Sequence, residues 1–526
     1  MFELVLALAS LLWLGHAVLR LLNGVHMLQL NSYRNERFMG WFKGHVKERL
    51  SLREWLPLLS FAALLFQAPV LGLILWTLLY AMLIWLRPRK QEKKKLVYTA
   101  RVKRLLVTIG VLVAAALAVS LTFASAGDSL APFILLFAVA LLSDMVVLLA
   151  NTMNLPVENR INRYYLNDAA QIVRQMKHLT VIGITGSYGK TSVKHFLNTL
   201  LSQVYEVLVT PESYNTPMGV TKTIRSMLRP THRFFITEMG AKQTGDIREL
   251  CELVSPKIGI LTAVGPQHLE TFKTLENVQR TKFELGESLP PDGILFMNMD
   301  DENIASYRGN IAARKVSIGI HRQDVDYRAQ NIQYTGKGAA FELVKPDGSV
   351  LACETSLLGE HNIYNLLLSM AVSLELGVPE EKLALLVKRI KPVKHRLELK
   401  KLSDKITILD DSFNSNPVGS KAALDVLAQM PGKRILITPG MIELGEQEYE
   451  LNRKFGIHAA GACDYIILVG QKQTKPIQDG LREAGYPQER LYIARDLQDA
   501  LRQMHLVAEQ GSIVLLENDL PDNYNE

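Results

Sequence analysis

Thr180-Val-Ile-Gly-Ile-Thr-Gly-Ser-Tyr-Gly-Lys-Thr-Ser192 is the stretch from which the rest of the chain is read. An apolar run ends in a glycine loop closed by Lys190 and Thr191, and a helical pattern follows to about Tyr205. A strand ending in such a loop aims several backbone N–H groups and a helix N-terminus at one spot, which suits a triphosphate such as ATP. On this reading Thr185, Gly186, Ser187, Gly189, Lys190, Thr191 and Ser192 line the nucleotide. Lys190 reaches the terminal phosphates and Thr191 holds Mg2+. The strict phosphate-loop pattern has glycine where Ile184 stands, so the fit is to the shorter form Thr-Gly-x-x-Gly-Lys-Thr. The competing reading is a plain strand-to-helix turn.

The 526 residues are too many for one core and predict about three domains. Net charge is +7, from 59 Lys and Arg against 52 Asp and Glu, which taken whole suggests nucleic acid. Its distribution argues against that. Residues 1–160 carry 17 basic and 8 acidic side chains, leaving 42 and 44 for the remainder. The positive charge therefore belongs to the hydrophobic end, as a membrane-flanking signal. Cys251, Cys353 and Cys463 are scattered without metal-ligand spacing and fit a reducing cytosolic setting.

Residues 1–154 read as a transmembrane module of four or five spans in a lipid bilayer. Residues 2–22 form a first apolar helix that lacks the basic start and cleavage site of a signal peptide. The amphipathic stretch His26 to Arg53 carries Arg34, Arg37, Lys43, Lys47, Arg49 and Arg53 and suits a cytoplasmic membrane surface. Trp55 to Leu86 fits one long span or two short ones turning near Gln67-Ala68-Pro69. The positive-inside rule favours two, because both basic loops then stay inside, the second being Arg87 to Arg104 with Lys93-Lys94-Lys95. Leu105 to Phe123 and Ala131 to Asn151 form a last hairpin, turning around Asp128, that delivers the remaining chain to the cytoplasm. His16 and Asp144 lie within spans, where polar groups are costly enough to be functional or else pack helix against helix.

From about Leu155 short apolar runs alternate with amphipathic helices, which predicts an α/β fold with a mostly parallel sheet. Strands are expected at Val181–Thr185, Glu206–Thr210, Phe234–Glu238, Ile258–Val264, Ile294–Met297 and Val316–Ile318, with an antiparallel insert over 325–357. Helices at about 362–376 and 379–390 complete a central ATP-binding domain, 155–391. Lys391-Pro-Val-Lys-His395 reads as a linker. A smaller doubly wound domain, 392–526, follows, with strands at Ile406–Leu409, Arg434–Thr438, Tyr465–Val469, Leu491–Ile493 and Ile513–Leu516.

The carboxyl ends of strands in an open α/β sheet share one crevice, so Glu238 and His268, each just after a predicted strand, can meet a Mg-phosphate. Taken singly, Glu238 is also a solvated strand end, His268 a satisfied loop histidine and Lys282 a surface helix lysine.

The ordered series resembles the Mur ligase family of ATP-dependent amide-forming ligases in cell-wall synthesis. It comprises the loop at 186–192, Ser213 to Val220, Thr237-Glu-Met-Gly-Ala241, Gly265 to Phe272 and Arg280-Thr-Lys-Phe-Glu284. Gly359-Glu-His-Asn-Ile-Tyr-Asn365, Arg396 and Asp410-Asp-Ser-Phe-Asn-Ser-Asn-Pro417 complete it. The similarity runs from about 160 to 450 and is greatest to the member type that adds D-alanyl-D-alanine to a UDP-muramoyl tripeptide. It implies an acid whose carboxylate attacks the γ-phosphate of ATP, and an amino-acid or dipeptide amine that attacks the acyl phosphate. It further implies one Mg2+ on Thr191 and Glu238, and a second on His268 and a carbamylated Lys282. Lys190, Lys282, His268 and Glu238 are then the catalytic set, Asn362 and Asn365 face adenine, Asp411 the ribose, and Arg396 the phosphates or nucleotide.

The chain departs from the family pattern in three places. Membrane spans stand where the UDP-sugar-binding domain is usual, Pro439-Gly440 replaces Gly-Asp, and Leu516-Glu-Asn-Asp-Leu-Pro-Asp-Asn-Tyr524 replaces a Lys-Gly-Ser-Arg motif. The expected protein is a multi-pass membrane ligase with cytoplasmic catalytic domains, working in peptidoglycan or envelope synthesis. The alternatives are a ligase for a lipid-linked precursor or poly-amino-acid chain, and an ATP-driven membrane switch that makes no amide.

Overall fold

A computed structural model describes residues 2–66, 68–87, 95–126, 128, 130–335, 338–413 and 415–519. Gln67 of the expected turn, Lys93 and Lys94 of the lysine run, Asn414 and the end of the chain from Leu520 lie outside the described residues. The chain divides into two compact units, with the boundary between Arg163 and Tyr164.

The first unit is helical. Two of its helices are long and apolar enough to cross a membrane, Leu4–Leu30 and Ala100–Ser125. The expected last span is broken: Ala131–Leu141 and Ser143–Gln175 meet at 75° and count as one further crossing only if taken together. The apolar run from 55 to 86 forms a 3-10 turn, Leu52–Leu58, a short helix Leu59–Leu65 and the 17-residue helix Pro69–Trp85. A break thus falls where a turn is expected, but neither piece has the length of a full span. The 29-residue helix Phe2–Leu30 buries Trp13, Ala17, Leu21, Val25 and Leu28, spaced four or three apart, so one face packs against Trp76, Tyr80 and Leu83.

The second unit holds two sheets. In the larger, the strands are β1 (Thr180–Thr185), β2 (Val207–Val209), β3 (Phe234–Glu238), β4 (Ile258–Leu261), β5 (Ile294–Asn298), β6 (Arg314–Gly319), β7 (Tyr327–Thr335), β8 (Gly338–Val344) and β9 (Val350–Thr355). Their order across the sheet is β2-β3-β1-β4-β5-β6-β7-β8-β9. β1 to β7 pair parallel, while β8 pairs antiparallel with both β7 and β9, so the 325–357 segment is antiparallel as expected and extends the edge of this sheet. β1 is central and β-branched, as a strand buried on both faces should be.

The helix Lys190–Leu201 buries Val193, Phe196, Leu197, Leu200 and Leu201 on that sheet. At about 1.5–3 kcal/mol for each large side chain, this stripe fixes where the helix begins and thus where the loop sits. Gly183 lets the opposite face close: a Cβ there would lie 2.9 Å from Leu285 Cδ1 and Met239 Cε.

The smaller sheet has β10 (Glu398–Lys401), β11 (Ile406–Asp411), β12 (Arg434–Thr438), β13 (Tyr465–Val469), β14 (Leu491–Ala494) and β15 (Ser512–Glu517). Their order is β10-β11-β15-β12-β13-β14, parallel except for β10. β10 continues from the expected linker as a half-exposed edge strand.

Candidate functional site

The glycine loop turns where only glycine is tolerated. Gly186 and Gly189 have φ of +151° and +79°, and a Cβ at Gly189 would stand 2.4 Å from Asn365 Oδ1. Ser187 N donates to Ala263 O at 2.7 Å, and its Oγ bonds Gly265 across the 3.0 Å gap. Thr185 Oγ1 donates to Met239 O at 3.1 Å. These two side chains, expected to line a nucleotide, brace the loop. Ser192 is buried in the first turn of the helix that follows.

Lys190 folds back on its own loop, donating to Gly186 O at 2.7 Å and Ser187 O at 3.2 Å. Burial, reinforced by the Arg396 guanidinium, holds its ammonium down at about 8. An anion would draw it out of carbonyls that are weak acceptors beside a phosphate. Thr191 Oγ1 donates to Glu238 Oε2 at 3.0 Å, so the two residues expected at one Mg2+ are already together. Glu238 is 2 % exposed, and although burial opposes ionisation, Lys194 and Lys190 hold it below the usual carboxylate range. Asn215 Nδ2 donates to Glu238 Oε1 at 3.1 Å, and Lys194 Nζ lies 3.1 Å from Oε2. A hydroxyl and a carboxylate are the hard oxygen donors that Mg2+ takes.

His268 and Lys282 stand apart from that pair. His268, at φ +52°, bonds through Nδ1 to Glu443 Oε2 on the smaller sheet's side of the cleft. The bond fixes the ring and leaves Nε2 as the nitrogen available to a metal. Glu443 is held at about 2 by this hydrogen bond, and burial pulls His268 downward despite it. Lys282 is 1 % exposed, so it is no surface lysine. No described residue accepts a hydrogen bond from it, and burial together with the Lys190 charge lowers it well below an ordinary lysine. A lysine kept neutral is one that can react with CO2, so the burial fits the carbamate that the resemblance implies. Among the described residues no three His, Cys, Asp or Glu side chains converge as a preformed metal site.

Asn362 and Asn365 lie in the helix Glu360–Glu375, whose N-cap is Gly359, so Asn365 is no cap neighbour. Asn365 Nδ2 approaches Asn362 Oδ1 at 3.5 Å, and Asn362 Nδ2 donates to Leu358 O at 2.8 Å. Asp411 ends β11, and the following helix is capped by Asn416, so Asp410 and Asp411 are not its N-terminal charge pair. Arg396 lies over the Phe413 ring at 4.5 Å, within reach of Asp411, Glu238 and Glu517. Asp411 stands in register with Glu517, and burial, helped by the neighbouring Asp410 carboxylate, pushes it up to about 6 although Arg396 and the Glu517 hydrogen bond pull the other way.

Four residues that the sequence does not single out thus join the site: Lys194, Asn215, Glu443 and Glu517. Lys194 carries a local signal, as a lysine on the apolar stripe one turn past Lys190, and Asn215 lies in the Ser213 to Val220 stretch of the family series.

Residues 184–373 match the Mur ligase middle domain and residues 395–517 the Mur ligase, glutamate ligase domain. The UDP-N-acetylmuramoyl-tripeptide–D-alanyl-D-alanine ligase of Escherichia coli (strain K12) is 34 % identical over 312 residues, 59 % of this chain and 69 % of that protein. The enzyme of the same name from Mycobacterium leprae (strain TN) is 30 % identical over 368 residues, 64 % of this chain and 71 % of the relative. A crystal structure of MurF from Acinetobacter baumannii superposes with a TM-score of 0.60 at 25 % identity, covering 69 % of this chain and 78 % of that one. MurF from Thermotoga maritima in complex with ADP gives 0.60 at 22 % identity, over 67 % and 80 %, a likeness of fold alone. The chain belongs to the Mur ligase family of ATP-dependent, amide-forming ligases.

Proposed function

We propose that the chain is a membrane-anchored ligase of cell-envelope synthesis. It activates an anionic acid as an acyl phosphate with Mg-ATP and joins it to an amino acid or dipeptide. The observation that carries this reading is the pairing of Thr191 Oγ1 with Glu238 Oε2 at 3.0 Å, with Lys190 and Arg396 both within electrostatic reach of that carboxylate. Such a cluster neutralises charge as ATP and a carboxylate approach each other, which phosphoryl transfer requires more than it requires covalent help. Thr191 and Glu238 would hold one Mg2+, and His268 Nε2 with carbamylated Lys282 a second. Bound metal would supply charge neutralisation between the phosphates and the acid. Asn362, Asn365 and Asp411 would meet the nucleoside, and Arg396 the phosphates.

The relatives' names point to a UDP-muramoyl tripeptide as acid and D-alanyl-D-alanine as amine. The N-terminal unit, with two helices of membrane-spanning length, favours a second version in which the acid is lipid-linked. Detergent-solubilised full chain with ATP, D-alanyl-D-alanine and either acid should release ADP and phosphate only when acid and amine are both present. Mass spectrometry then identifies the amide. Equal ATP hydrolysis without either substrate would instead support the membrane switch. The basic segments 26–53 and 87–104 would both face the cytoplasm. A Phe42→Cys protein should resist labelling from outside intact cells, and ready labelling would overturn that topology.

A further inference from the structure

Glu238 is held by more donors than a strand-end carboxylate needs. Lys194, one helical turn beyond Lys190, is 5 % exposed. Its Nζ lies 3.1 Å from Glu238 Oε2, the same oxygen that accepts from Thr191 Oγ1 at 3.0 Å. Nζ also donates to the carbonyl of Glu212, whose φ of +42° is left-handed. Three residues further along the same loop, Asn215 binds the other oxygen of Glu238 at 3.1 Å, and its carbonyl accepts from Gly240 N at 2.8 Å. A closed ring results: Lys194 to Glu238, Glu238 to Asn215, and back along the loop to Glu212. A fully buried lysine is costly unless its charge is met, and here a carboxylate and a carbonyl meet it. Lys194 lies behind Thr191 and Glu238, on the buried stripe of its helix, and is not part of the glycine loop.

We propose that Lys194 is a positioning residue for Glu238. Its ammonium and the Glu212–Asn215 loop fix both carboxylate oxygens, so that Thr191 and Glu238 present a preformed half-site to a divalent cation. The inference rests on the Mg2+ reading of Thr191 and Glu238 and adds the residue that sets that ligand's geometry. Outer partners of a metal ligand raise affinity by holding it in one rotamer. The alternative physics is simple repulsion between two cations, which predicts tighter metal binding once the lysine is gone.

The test is Mn2+ binding to the full chain in detergent with ADP present, followed by electron paramagnetic resonance, so that no turnover is needed. Lys194→Met should weaken Mn2+ binding about tenfold or more, and Lys194→Arg should recover part of the loss. In a Glu238→Gln background Lys194→Met should add nothing, because the lysine acts through that carboxylate. Unchanged or tighter Mn2+ binding in Lys194→Met overturns the proposal, as does an equal loss in the Glu238→Gln background. If Lys194→Met does not fold, Lys194→Gln takes its place, and native Mn2+ affinity in that variant overturns the proposal equally. Native Mn2+ affinity in Glu238→Gln alone overturns the metal reading itself, an outcome distinct from the failure of Lys194.

Discussion

In the N-terminal unit Arg20 meets Glu54 at 2.8 Å, Arg49 meets Asp144 at 2.6 Å and Arg104 meets Glu158 at 2.6 Å. At the glycine loop Lys190 instead feels both Glu238 and the Arg396 guanidinium, and the buried Lys282 feels Lys190. The first arrangement is complete. Glu54 also takes His16 at 3.2 Å, and Arg20 donates to Ser143 Oγ at 3.0 Å and Leu141 O at 3.1 Å, closing the break between the two bent helices. Arg49 forks onto Asp144 with both nitrogens and reaches Asn23 at 2.7 Å. His16 and Asp144 therefore join helices, the second of the two roles open to them from sequence. In the second arrangement Lys190 donates to loop carbonyls and, among the described residues, to no carboxylate, which marks a place where an anionic ligand can bring the missing partner.

The sharpest way to break this contrast is to remove one charge on each side. Lys190→Ala should lower ATP-dependent amide formation by about a thousandfold, since loop amides cannot replace a full charge at the terminal phosphates. Native turnover in that variant would sink the site. On the other side, Asp144→Asn leaves Arg49 buried without its partner and should cost about 3 kcal/mol in thermal unfolding of the detergent-solubilised chain. The Arg49→Met, Asp144→Leu double variant should recover most of that loss. Unaltered unfolding with lost activity would return Asp144 to a functional role.

Next in size, Lys282→Ala should slow acyl-phosphate formation about a hundredfold while ADP binding stays within about twofold. Wild-type activity should also fall when CO2 is stripped at mildly acidic pH and return with bicarbonate. Normal turnover in Lys282→Ala would end the carbamate assignment.

The smallest effect is electrostatic and tests the far edge of the cluster. Burial pushes the Asp411 carboxyl up to about 6 in the folded protein, above its unfolded value of roughly 3.9. The native state thus keeps a proton that the unfolded chain has released, and this carboxyl costs stability increasingly as pH rises from about 4 through 6. Asp411→Asn should melt higher than wild type by roughly 2 °C at pH 7.5 and show little gain at pH 4.5. A gain independent of pH would show that ionisation of the buried Asp411 carboxyl is not what costs stability.

What the sequence discloses follows the range of the forces involved. β3, β12 and β13 coincide with the expected Phe234–Glu238, Arg434–Thr438 and Tyr465–Val469, because a buried parallel strand is an apolar run bounded by turns. β10 is hidden because Glu398-Leu-Lys-Lys401 is a polar edge that only its pairing with β11 makes a strand. The bend at Leu142 is hidden for a similar reason. Ser143 barely interrupts an apolar run, and the carbonyl freed at Leu141 is satisfied by Arg20, far upstream. In the site, Lys190, Thr191, Glu238 and His268 are legible because strand ends converge by topology. Asn215, Glu443 and Glu517 owe their roles to partners that no spacing reveals.

One of those partners sets a condition on the chemistry. The imidazole of His268 belongs to the nucleotide-binding domain, but the carboxylate that aims it, Glu443, is carried by the domain with the smaller sheet. Glu270 N donates to the carbonyl of the same Glu443 at 3.4 Å, so one residue grips both sides of His268. Any motion that withdraws the smaller domain takes the imidazole's orienting group away and unlocks its ring. On the proposed Mg-ATP reading, His268 would then be aimed at a metal only while the smaller-sheet domain is docked against it.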